Sequence, residues 1–266
     1  MKYRTMKTSV RNRMADLFLK SFNDSQKVAV IRCLSVFCKM AGRRARPQVF
    51  LGDLLGRQVS STDTRVLGAL QQLIGEGGLL RLRRADIREV SLREVPRSTE
   101  GIPWVVEPQV DTRAAWPAIC ERTRVYARLV ERTRQSKAIS NLQDPLRKAV
   151  AEATLCFNAG LFFEAHEHLE HYWAAQPRGP TRRFLQGIIQ ISVGFHHACL
   201  GKYDGAINQL AKGLEKTLGT TGNFLGLDCD KFLPKVVTVR EAIVRRGRAH
   251  MTPLSLAEIP RMRLKK

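Results

Sequence analysis

The sequence predicts a mainly α fold, with a C-terminal helical bundle joined to an N-terminal module of helices and a small β-hairpin. Three observations predict it. Apolar residues recur at helical spacing along most of the 266-residue chain, alternation with charge is confined to residues 79–95, and Pro96, Pro103 and Pro108 separate the two halves. Apolar residues make up 44% of the chain, enough to bury a core at this length.

The first helix spans residues 23–41. Asn23, Asp24 or Ser25 can cap it, and Val30, Ile31, Leu34, Phe37 and Cys38 form its stripe. A basic break follows, Gly42-Arg43-Arg44-Ala45-Arg46-Pro47, and then a short helix over 49–56. A second helix runs over 62–75, capped by Ser60 or Ser61, with Val66, Leu67, Leu70, Leu73 and Ile74 as its stripe and Gly77-Gly78 as its stop. The stretch LLRLRRADIREVSLREV reads as a hairpin over 79–95 turning at Ala85-Asp86.

That order over residues 24–95 resembles a winged helix-turn-helix. The resemblance implies that the helix from Thr62 enters a major groove, with Thr62, Thr64, Arg65 and Gln72 as contacts, while Arg81, Arg83, Arg84 and Arg88 meet phosphate. Residues 96–111 read as a linker. A basic helix over 111–137 carries Arg122, Arg124, Arg128, Arg132 and Arg134, and Pro145 opens the bundle. The expected domains are a basic module at 1–95, a linker and basic helix at 96–143, the bundle at 144–250 and a basic tail at 251–266.

Charge divides the chain in the same way. The net charge is +21, yet residues 151–234 hold 7 Lys/Arg against 8 Asp/Glu, whereas residues 1–150 hold 29 against 14 and residues 235–266 hold 9 against 2. Basic flanks of this kind attract phosphate-rich partners, so DNA or RNA is the expected partner. Homo-oligomerisation remains open. The six cysteines are scattered without a CxxC pair, as expected of reduced thiols in a cytoplasmic setting. No run of 18 apolar residues predicts a membrane span, and the basic start lacks the apolar segment of a signal peptide. No phosphate-binding Gly-rich loop or Ser/His/Asp array is present.

Five of the six histidines fall between residues 166 and 197. On a helix through FFEAHEHLEHYW, residues Phe163, His166, Glu167, Glu170 and Trp173 share an arc of about 120°, which places His166 and Glu170 where the helix meets the core. Glu164, His168 and His171 fall on the other side and are expected in solvent. In the helix FLQGIIQISVGFHH, Gln186, Gln190, Val193 and His197 share an arc of about 60°. Three polar side chains in a row on an apolar helix call for partners. The economical arrangement packs the two helices antiparallel, Glu/His face to Gln/His stripe.

These segments, with Gly205-Ala206 and Gly226-Leu227-Asp228, resemble the domain-of-unknown-function 309 family over residues 144–248. The resemblance implies an all-α bundle and family-type polar positions at Glu164, His166, Glu167, Glu170, Trp173, Gln186, Gln190, His197 and Asp228. Ala174 departs from the Arg that many members carry after the Trp. The family's activity is not established.

Three readings of the cluster stay open. One is a divalent metal held by His166 and Glu170 with Gln190 or His197. Gln186 and His197, about 16 Å apart along their helix, cannot share one ion. Another is an acid/base pair of Glu167 or Glu170 with His166, as in a hydrolase. The last is a closed hydrogen-bond network that sets helix register. For the whole chain, the leading expectation is a nucleic-acid-associated accessory or regulatory protein with a ligand-sensing or adaptor bundle. The rivals are an enzyme centred on His166, Glu167 and Glu170, and a scaffold of a nucleoprotein assembly.

Overall fold

The computed structural model describes residues 6–42, 47–50, 53–54, 64–74, 78–84 and 104–265. The chain is mainly α and divides into two compact units, residues 4–131 and 132–266.

In the N-terminal unit, α1 (Thr8–Lys20) forms where the sequence reading assigned no helix. Val10, Met14 and Phe18 repeat every fourth residue and are buried; the basic residues between them mask the stripe. Asp24 caps α2 (Ser25–Ala41) by accepting from the Gln26 backbone N–H, and the five stripe residues are buried as their spacing predicts. Val49–Phe50, expected to open a short helix, instead form β1. A β-branched and an aromatic residue just after Pro47 favour extended backbone. Helix α3 (Thr64–Ile74) packs against α2 and buries Ala69, Leu70 and Leu73.

Strand β2 (Leu80–Arg84) appears where the hairpin was expected, and the turn expected at Ala85-Asp86 lies outside the described residues. The strand pairs antiparallel with β3 (Trp104–Pro108), Leu82 opposite Val106, and the sheet runs β1-β3-β2. Strand β3 thus lies within the segment read as a linker from its prolines. Those prolines bound the strand, one before it and one at its end, where no ladder donor is lost, and Trp104-Val105-Val106 suits a pleat. The remainder of the expected hairpin, with Arg88, lies outside the described residues.

Helix α4 (Trp116–Gln135) carries the expected arginines unequally. Arg124, Arg128, Arg132 and Arg134 are exposed, while Arg122 is buried and donates from Nε to Tyr126 Oη at 3.1 Å. The Tyr126 ring stacks on Phe18 at 4.2 Å, and Trp116 meets Phe37 edge-on at 5.3 Å. All six cysteines are buried free thiols. Burial, reinforced by contact with Cys120, pushes the Cys38 thiol up.

The C-terminal unit contains α5 (Lys137–Ser140), α6 (Pro145–Asn158), α7 (Phe162–Ala174), α8 (Pro180–Cys199), α9 (Tyr203–Lys216) and α10 (Cys229–Arg246). Asp144 caps α6 ahead of Pro145 by accepting from the Leu146 and Arg147 N–H groups. A two-strand ribbon, β4 (Asn223–Phe224) and β5 (Leu227–Asp228), precedes α10. Phe157 meets Phe162, Phe195 and Phe232 edge-on at 4.9, 5.7 and 5.6 Å, joining four elements in one aromatic core. Helix α7 packs against both α6 and α8, and α8 packs in turn against α9. Residues 251–265, read as a basic tail, fold back: Asn158 brackets Met262 with two bonds of 2.9 Å, and Lys265 N–H reaches Gly226 O at 2.9 Å. Leu254, Ile259 and Met262 are buried and anchor the segment. No helix among the described residues is long and apolar enough to cross a membrane.

Candidate functional site

Helices α7 and α8 run antiparallel, as the sequence suggested. Trp173 lies against Arg182 at one end, the guanidinium 4.3 Å from the ring, and Phe163 lies 6.3 Å from the His196 ring at the other.

On α7, His166 is flanked by two carboxylates. Its Nε2 lies 3.0 Å from Glu170 Oε2, one helical turn on; its Nδ1 is buried and lies 3.4 Å from Glu167 Oε1, outside hydrogen-bond geometry. One ligand atom from each of the three residues lies within 4.8 Å of the others. A tetrahedral ion with bonds of about 2.1 Å needs ligand atoms roughly 3.4 Å apart, a small closure from this arrangement. The side chains of His166 and Glu170 are 18% and 50% exposed, so the cluster faces solvent rather than the core.

The opposite face of α7 is the buried one, which reverses the expectation for Glu164 and His168. Glu164 is fully buried, and His168 Nε2 lies 2.9 Å from Glu152 Oε2, with both side chains buried. His171 is exposed as expected. His168 reaches the core because α6 supplies a carboxylate to meet it, and a buried charge is tolerated only when paired. Glu152 was missed by the sequence reading. Its signal is a lone Glu in PLRKAVAEATLCFN, where Ala149, Ala153 and Cys156 of the same face are all buried. Burial, followed by the nearby Glu164 and Glu152 carboxylates, raises the Cys156 thiol well above its usual range.

Gln186, Gln190 and His197 stand half-buried along α8. The closed network expected of them is incomplete: Gln190 Oε1 and His197 Nδ1 are buried without a hydrogen-bond partner, and so is Trp173 Nε1 on α7. Each such atom has lost water without replacement, which a bound ligand would relieve. His197 rests against Gly205, where a Cβ would stand 2.7 Å from the ring Cγ. Asp228 is not part of this face. It caps α10 by accepting from the Lys231 N–H, and its carboxylate lies 3.5 Å from Lys231 Nζ and 3.4 Å from Lys265 Nζ. Burial opposes ionisation there, but Lys265 and the bonds around Lys231 outweigh it and hold the carboxyl below its usual value.

In the N-terminal unit, Thr64 and Arg65 open α3, and Gln72 near its end accepts from Lys27 Nζ at 2.7 Å. Arg81, Arg83 and Arg84 lie on β2, and Arg81 is not free for phosphate: its Nε donates to Glu107 Oε1 at 2.7 Å. The cross-strand partner in β3 could not be anticipated while that stretch was read as linker. Thr62 and Arg88 lie outside the described residues.

Residues 150–209 match the family model described as Domain of unknown function (DUF309). The matched segment holds every α7 and α8 residue of the candidate site and Gly205, but not Asp228. No curated protein matches the chain.

Proposed function

We propose that this is a nucleic-acid-associated accessory or regulatory protein, in which the N-terminal unit meets the nucleic acid and the C-terminal bundle senses a ligand. The observation that carries the reading is the order of elements over residues 25–108. Helix α2, strand β1, helix α3 and strands β2 and β3, with sheet order β1-β3-β2, follow the order of a winged helix-turn-helix. In that frame α3 takes the place of the groove-entering helix, with Thr64 and Arg65 in its first turn, and Arg83 and Arg84 lie on a terminal strand of the sheet. The excess of 15 positive charges in residues 1–150 favours a polyanionic partner. On the bundle, the open polar atoms of Gln190, His197 and Trp173 favour a ligand over a finished structural network.

The test is fluorescence anisotropy of labelled duplex DNA and structured RNA over a range of salt. Arg65→Ala with Arg83→Ala should weaken binding and lower the slope of log K against log salt by about two. An unchanged affinity and slope would remove the proposed surface.

A second reading of the bundle rests on one specific observation, the three ligand atoms of His166, Glu167 and Glu170 within 4.8 Å. In it, the sensed ligand is a divalent cation held by one nitrogen and two carboxylates. Elemental analysis of purified wild type against Glu170→Gln decides it, because equal metal content in both would exclude the site.

A further inference from the structure

Four of the seven lysines and arginines in residues 151–234 line one cleft, and none of the eight acidic residues of that segment does. The cleft, of about 810 Å³, opens where α8 begins and α9 ends. Arg178, Arg182, Arg183 and Lys216 supply its charge, and none of the four makes an ion pair among the described residues. In a segment that is otherwise near neutral, gathering like charges around a concavity raises the energy of the empty protein unless an anion enters.

The cations are held, not merely crowded. Arg182 Nη1 donates to three carbonyls at the end of α7, Trp173 O at 2.9 Å, Ala174 O at 3.3 Å and Gln176 O at 2.6 Å. With the Trp173 ring 4.3 Å beneath it, the guanidinium is fixed in orientation while those bonds engage Nη1 alone. Arg183 Nη2 is tethered to Glu215 O at 3.2 Å. The hydroxyls of Thr220 and Thr221 and the amide of Gln186 add neutral donors to the same wall. Beside them Phe224 lines the cleft, its ring 4.6 Å from Phe184, and offers an apolar surface to the body of a ligand.

From this arrangement we infer a binding site for a small organic phosphate: a phosphate or diphosphate group among the arginines and Lys216, its organic part against Phe224. The volume suits a small molecule, since ligand clefts span about 300–1,000 Å³. Residue Gln186 is the one member shared with the polar stripe of α8. The inference stands apart from the nucleic-acid reading, because every described residue that lines the cleft belongs to the C-terminal unit.

The experiment is calorimetric titration of the full-length chain with inorganic pyrophosphate and with adenosine monophosphate near physiological salt. Arg178→Ala with Lys216→Ala should weaken both at least about tenfold. Lys235→Ala with Arg245→Ala removes the same charge from α10, away from the cleft, and should leave both unchanged; circular dichroism checks that each variant folds. Absence of binding to either probe by the wild type would overturn the site. So would equal loss in the two double variants, which would mark the attraction as diffuse charge. Loss of single-stranded DNA binding in the cleft variant, with probe binding intact, would reassign the surface to a nucleic-acid backbone and also overturn it.

Discussion

Glu152 Oε2 and His168 Nε2 lie 2.9 Å apart in the core of the bundle, one from α6 and one from α7. Removing one partner of a buried pair leaves the other desolvated and uncompensated. Glu152→Ala should therefore cost about 3 kcal/mol in urea denaturation. Replacing both by leucine should recover a good part of that loss. A single variant as stable as the wild type would show that the pair does not hold α6 to α7.

The crossing of α8 and α9 depends on missing side chains. A Cβ at Gly213 would stand 2.8 Å from Gly187 O and 2.7 Å from Ile191 Cγ1, and one at Gly187 would stand 2.9 Å from Gly213 O. Helix propensity alone would make Gly213→Ala stabilising by about 1 kcal/mol. Overpacking of a backbone contact should reverse the sign and cost about 1–3 kcal/mol. The sign of the change in thermal midpoint is the readout.

His197 gives a pH dependence of known direction. Burial, then Lys202 nearby, lowers its pKa below the usual 6.5. The unfolded chain then binds the proton more readily than the folded one. This residue's contribution to stability is complete above pH 6.5 and declines as pH falls from there to the folded value. Urea midpoints measured across that window should fall less in His197→Gln than in the wild type. Identical slopes would mean that His197 does not titrate differently on folding.

If the sensed ligand is a divalent cation, its binding is linked to folding. Zinc should raise the melting temperature of the wild type by mass action and should lose that effect in His166→Ala and Glu170→Gln. A rise retained in both variants would place the metal elsewhere.

Helices α2, α3, α7 and α8 were legible because their apolar residues recur at the helical period, and in α2 the cap at Asp24 is explicit as well. Helix α1 was hidden by the basic residues set between its buried side chains, and Leu254, Ile259 and Met262 by an irregular spacing that matches no helix or strand period. Strand β3 was hidden by its bounding prolines. In the candidate site, periodicity grouped His166, Glu167 and Glu170 on one arc and Gln186, Gln190 and His197 on another, and the structure keeps both groups. It misplaced the core relative to α7.

What the sequence determined by itself is therefore the helical bundle, the antiparallel pair α7 and α8, and which polar residues share each face. Tertiary structure decided which face of α7 is buried, because a helix packed on two sides can bury a polar arc whenever a neighbour supplies the counter-charge. Glu152 does so for His168 from sixteen residues away. It also decided that Lys265 stands beside the Asp228 carboxylate and that Arg178, Arg182, Arg183 and Lys216 share a cleft. Those relationships join separate segments of chain, and no local spacing encodes them.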